Sequence, residues 1–188
     1  MKLTVLMAAG AVLVLASAAA EAQTPAPPAA PPAAAAKSTS VGGPPLALAR
    51  EAADAAIAAC RREGSAISVV VMDDKGVIKL VEAADGARAG QWTTAQRKAT
   101  ASLATGMDGV PLFDKFNADK AFADKVNADP TGIYVRPGAR LIRGGDGRAI
   151  GVMGISGSVS LAPAGPIGGV RDDACAAIGL KKIASRLK

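Results

Sequence analysis

Arg97, Lys98, Arg136, Arg140, Arg143 and Arg148 are the residues whose chemistry stands out first. An arginine fork pairs two carboxylate oxygens at once, so such a set, gathered on one sheet and one helix, would grip an acidic small molecule. The duller alternative is ordinary solvated surface charge. The chain has 188 residues and no His. Imidazole general bases, Ser-His-Asp triads and imidazole metal sites are therefore excluded. Met107 and Tyr134 are the remaining soft or phenolate metal donors to consider, and Met107 is a candidate to line a ligand pocket. Met72 and Met153 lie in strand-like runs and read as core filler.

Cys60 and Cys175 are the only cysteines, 115 positions apart. A disulfide between them is the first expectation, with two buried free thiols as the alternative. A catalytic thiolate would lack a histidine to activate it. Acid–base work could fall only to carboxylates such as Asp73, Asp74 or Asp85, and aspartates at that spacing are more often turn formers. Glycine-rich phosphate motifs are missing: no Walker-type Gly-Lys-Ser/Thr occurs, and Gly154-Ile-Ser-Gly-Ser158 lacks the last glycine of a nucleophile elbow. Asp172 and Asp173 would repel a phosphate from the start of the last helix. The net charge of +6 makes nucleic acid a formal partner, but five aromatic residues and an export signal argue against base stacking.

Those residues need elements to hold them. Residues 1–22 read as a secretory signal peptide: Lys2, an apolar run from Leu3 to Leu15, and a small-x-small site at Ala20-Glu21-Ala22. The run falls short of the ~20 residues a membrane span needs, so no transmembrane anchor is expected after cleavage, and the protein should be periplasmic or secreted. Residues 23–45 hold seven of the 12 prolines and read as a Pro/Ala linker. The domain, 46–188, opens on a helix over 46–62, with Leu46, Ala49, Ala53, Ile57 and Cys60 on one face. A β-hairpin follows: strands at 67–72 and 77–81 about the turn Asp73-Asp74-Lys75-Gly76. Helices are predicted over 92–105 and 111–126, short strands at 133–135 and 140–143, a strand over 149–156, and a last helix opened by Asp172 and Asp173. Glycines 151 and 154 inside a strand imply that another backbone lies close against it. A hairpin, two helices and a meander imply an α+β domain with an antiparallel sheet.

Several segments, in order, resemble the GlcG/HbpS family, the haem-degrading or haem-binding-like domain also found at the C-terminus of PduO proteins. They are Ala66-Ile-Ser-Val-Val-Val-Met-Asp-Asp-Lys-Gly76, Asp85-Gly-Ala87, Arg97-Lys-Ala99, Leu141-Ile-Arg-Gly-Gly145, Ile150-Gly-Val-Met-Gly-Ile-Ser-Gly157 and Asp172-Asp-Ala-Cys-Ala176. The resemblance implies a five-stranded antiparallel sheet flanked by helices, in a profilin- or PAS-like arrangement, and a homo-oligomer. It also implies haem as the possible cofactor or ligand. Relatives commonly carry a His where this chain has Arg88-Ala-Gly-Gln-Trp92, and a Tyr where it has Thr100. Any haem contact would then run through propionates and apolar walls. The expectation is a binding protein for haem, a related tetrapyrrole or another carboxylate-bearing molecule, held by Arg97, Lys98, Met107, Arg136, Arg140 and Arg143. The alternatives are an enzyme on the same scaffold, or a structural oligomer without a ligand.

Overall fold

A computed structural model describes residues 42–130, 134–161 and 167–187, all within the unit Thr39–Lys188. The residues read as signal peptide, and all but the end of the linker, lie outside the described ones. In chain order the elements are α1 (Leu46–Arg62), β1 (Ser68–Asp73), β2 (Ile78–Ala83), α2 (Gln91–Thr105), α3 (Gly109–Ala118), α4 (Lys120–Asn127), β3 (Ala139–Arg143), β4 (Ala149–Ser156) and α5 (Gly168–Ile183). The strands form one antiparallel sheet in the order β2-β1-β4-β3.

Every residue of β1 is buried, because helices cover both sheet faces. Alternation along the strand sends Val69 and Val71 toward α1 and α5, and Val70 and Met72 toward α2. A core with so few aromatics must be filled by close approach. Ala49, Ala52, Ala53, Ala56 and Ala59 of α1 are all buried against α5. At the crossing a methyl group on Gly179 would run into the Ala52 carbonyl oxygen. Gly154 does the same for the other face: a side chain there would strike the Ala95 carbonyl of α2. That is the close backbone approach the strand glycines imply. Cys60 and Cys175 are bonded across the α1–α5 contact, with Cα atoms 5.8 Å apart, so the free-thiol alternative falls.

Asp73 sets the β1–β2 hairpin. Its carboxylate accepts backbone N–H bonds from Val77 (2.8 Å), Lys75 (2.9 Å) and Gly42 (3.0 Å). Burial pushes its pKa up, but the three N–H donors and the nearby Lys75 outweigh that, and the group sits below its ordinary 3.8.

Two sequence expectations need correction. The sheet has four strands among the described residues, not five. Ile133 lies outside the described residues, and Tyr134 and Val135 are unpaired. The free edge of β3 is already taken. The Asp108 carboxylate accepts the Leu141 N–H at 2.8 Å, and a Cβ on Gly109 would sit 3.0 Å from the Ala139 nitrogen. The start of α3 thus stands where a further strand would pair. The expected single helix over 111–126 is two. Asp119 takes an extended conformation (φ −115°, ψ 98°) and caps α4 by accepting the Phe122 N–H at 3.0 Å.

Replacing both cysteines, Cys60→Ala with Cys175→Ala, should lower unfolding free energy by about 4–5 kcal/mol, since a loop of this length is held closed in the unfolded chain. The urea midpoint reports it; a fall under ~1 kcal/mol would contradict the expectation. Asp73→Asn should cost on the order of 2 kcal/mol at neutral pH, where the native carboxylate is ionised and fully bonded. A carboxyl with a lowered folded pKa stabilises above its unfolded value and loses that contribution as pH falls through the folded one. The gap between the two proteins should therefore close below pH ~3.8, which urea titrations at several pH values would show.

Candidate functional site

The site begins with a charge on the wrong face of a helix. Lys98 lies on the buried face of α2 with Ala95, Ala99 and Ser102, and is 4% exposed. Its ammonium donates to Asp172 Oδ2 at 2.8 Å and to the Ile155 carbonyl at 3.0 Å. Asp172 Oδ1 accepts the Ser158 N–H at 2.8 Å. One ion pair thus joins α2, the end of β4 and α5. Gly138 seals it from above: with φ +117°, a Cβ there would lie 2.8–2.9 Å from the Ile155 oxygen, Asp172 Cβ and Lys98 Nζ.

Asp173 is buried beside it and takes a different partner. Arg140 of β3 donates through Nε (2.9 Å) and Nη2 (2.6 Å) to Asp173 Oδ2. Burial raises the Asp173 pKa, Arg140 opposes the rise, and the Asp108 carboxylate adds to it. The two aspartates stand in the second turn of α5, not at its opening, and each is neutralised from another element.

Beside the first pair lies a cleft of about 490 Å³. Its floor is the chain leaving β4 (Ser156, Gly157, Ser158) and the first turn of α5 (Gly168, Gly169). Its walls carry Arg88, Phe113, Tyr134 and Arg136. The Arg136 guanidinium lies 5.1 Å from the Phe113 ring centre and 5.6 Å from that of Tyr134. Arg97 lies 5.2 Å from the Tyr134 ring. Tyr134 thus has two guanidinium groups within cation–π range of one ring. The lining counts Arg88, Lys98 and Arg136 against Asp172 alone, so the cleft is cationic.

The predicted basic set therefore divides. Lys98 and Arg136 line the cleft and Arg97 touches its Tyr134 wall, but Lys98 is committed to Asp172 and acts by positioning. Arg140 and Arg143 line a separate recess of about 310 Å³ with Leu180 and Lys181. There Arg140 holds Asp173, and Arg143 donates to the Gly147 carbonyl at 3.2 Å and braces the β3–β4 turn. Arg148 pairs with Asp146 in the same turn. Met107 packs with Phe113, Phe116 and Phe122 over Leu112, as core filler for the α3–α4 pair. Of the carboxylates considered for acid–base work, Asp73 is locked in its turn, Asp85 is exposed and 3.9 Å from Arg61, and none of the three lines the cleft. Among the described residues no group of three or more His, Cys, Asp or Glu could hold a metal ion, and no helix is long and apolar enough to cross a membrane.

Sequence reasoning missed Arg88 and Phe113 as walls and Asp172 as the counterion. One signal pointed to the last: a lysine in register with alanines on an apolar helix face needs a buried partner, and two adjacent aspartates in an apolar helix need cations.

The fold and site together define an α+β domain with a cationic, aromatic-walled cleft beside an antiparallel sheet. The chain belongs to the HbpS-like family, described as haem-degrading protein HbpS-like, whose model matches residues 45–163. Among solved structures it is similar to a double mutant of HbpS from Streptomyces reticuli, at 26% identity and a TM-score of 0.63, covering 83% of this chain and 99% of that one. The ORFY protein of Klebsiella pneumoniae shares the fold at 18% identity and a TM-score of 0.65, covering 83% and 100% of the two chains. So does PduOC, solved as a haem complex, at 17% identity and a TM-score of 0.62, over 74% and 94%. No curated protein sequence matches this chain.

Lys98→Met should cost about 3–5 kcal/mol, because it strands a buried carboxylate, and Lys98→Met with Asp172→Leu should recover most of that loss. Chemical denaturation of the two variants measures it. Equal losses in both would show that the pair is not what holds the three elements.

Proposed function

We propose that this protein binds haem or a related carboxylate-bearing tetrapyrrole in the cationic cleft, as an exported, self-associating binding protein. The observation that carries the reading is a cleft lined by Arg88, Arg136, Phe113 and Tyr134, with Arg97 and Arg136 both in cation–π range of the Tyr134 ring. Such a ligand joins a flat apolar body to acidic groups on one edge. The residues present fit both halves. Phe113, Tyr134 and Ile167 offer apolar surface to the edge of the macrocycle, and Arg88 and Arg136 offer cations to the propionates. Haem itself, when bound, supplies a ferric or ferrous iron; the chain supplies the grip and the shielding. The haem complex of the PduOC neighbour supports the ligand class. Export is supported by the leader-like residues 1–22, and self-association rests on the family resemblance.

A haemin titration of the purified protein, followed in the Soret band, tests the reading. Saturable one-to-one binding is expected. Arg136→Gln should raise Kd about tenfold or more, the equivalent of one charge-assisted hydrogen bond at about 1.5 kcal/mol or above. Absence of any saturable change at micromolar haemin would overturn it, as would an Arg136→Gln protein that binds as tightly as the parent.

A further inference from the structure

We infer that Tyr134 is the axial donor to ferric iron in this cleft, an inference that rests on the haem reading above. Proteins hold haem iron through His, Cys, Met or Tyr. The chain has no His. Cys60 and Cys175 are consumed in a buried disulfide. Met72 and Met153 are at most 2% exposed within β1 and β4, and Met107 packs over Leu112 in the α3–α4 cluster. Met1 and Met7 fall in the leader-like segment, outside the described residues. Tyr134 is the single tyrosine in the sequence, and it lines the cleft.

Its surroundings suit the role. The phenol gives its proton to solvent as the oxygen becomes an iron ligand, and the oxygen then carries negative charge. Two guanidinium groups lie 5.2 and 5.6 Å from the ring centre, and positive charge that near favours the ionised oxygen. The one carboxylate of the cleft lining, Asp172, is already spent on Lys98. The ring is also braced on both counts by its stacking partners, so Tyr134→Phe should keep the wall and remove only the oxygen.

The experiment titrates the parent protein and Tyr134→Phe with ferric haemin and, separately, with metal-free protoporphyrin IX, and records resonance Raman spectra of the ferric complexes. The parent should show tyrosinate modes enhanced through a phenolate-to-iron charge-transfer band. Tyr134→Phe should lose those modes and bind haemin at least tenfold more weakly, while binding protoporphyrin IX as the parent does. Unchanged haemin affinity and spectrum in Tyr134→Phe would overturn the assignment and leave the haem reading standing. Equal weakening toward haemin and protoporphyrin IX would make Tyr134 a wall and not a ligand, and also overturn it. Failure of the parent to bind either compound would remove the haem reading itself.

Discussion

The ion pair between Lys98 and Asp172 is the constraint on which the rest of the site depends. Moving two charges out of water is costly, and their attraction offsets that cost only when geometry is good and the remaining hydrogen-bonding capacity is used. Here the remaining capacity reaches into neighbouring segments. The ammonium also takes the Ile155 carbonyl at the end of β4, and the carboxylate also takes the Ser158 N–H just beyond it. The chain leaving β4 is thereby fixed over α5, which makes the floor of the cleft. Gly138, packed on the same pair, carries Arg136 and Tyr134 a few residues upstream. Floor and wall are thus indexed to one contact, 74 residues apart in sequence.

The scarcity of aromatics has a structural consequence that favours this arrangement. The two main core clusters are built from Ala, Val, Ile, Leu, Met and the cystine, and helices close on the sheet through glycines and alanines. No aromatic side chain is needed there. The three phenylalanines instead gather around α3 and α4, Trp92 stands 42% exposed, and Tyr134 sits in the cleft. Large flat side chains are therefore available at a surface recess, where ring faces can stack on cations or on a ligand.

Much of the fold was legible because it rests on local signals. The β1–β2 hairpin follows from two β-branched, apolar runs about Asp73-Asp74-Lys75-Gly76, and α1 follows from its apolar spacing. The Cys60–Cys175 bond follows from two cysteines in a chain that opens on a leader-like segment. What failed depended on tertiary competition. Tyr134-Val135 has strand-forming residues, but Asp108 and Gly109 occupy the edge it would need. Asp119 in mid-helix looked like one more polar residue, while its side chain captures the Phe122 N–H and starts a new helix. For the site, the sequence could name basic residues but not their partners. Lys98 and Arg140 resemble Arg136 in composition, and only packing shows that the first two are committed to Asp172 and Asp173.

That commitment reverses one electrostatic expectation. Two adjacent aspartates near the start of α5 should repel an anion from its first turn. In the folded protein Lys98 meets one and Arg140 the other, both at hydrogen-bond distance and largely out of water, so little of their charge is left to oppose an anion at Gly168 and Gly169. The partial positive charge of the helix end then adds to Arg88 and Arg136 instead of being cancelled. The buried lysine and the partly exposed β3 arginine thus need not touch a ligand to matter. By neutralising the aspartates from inside, they leave the outward-facing arginines to set the sign of the cleft.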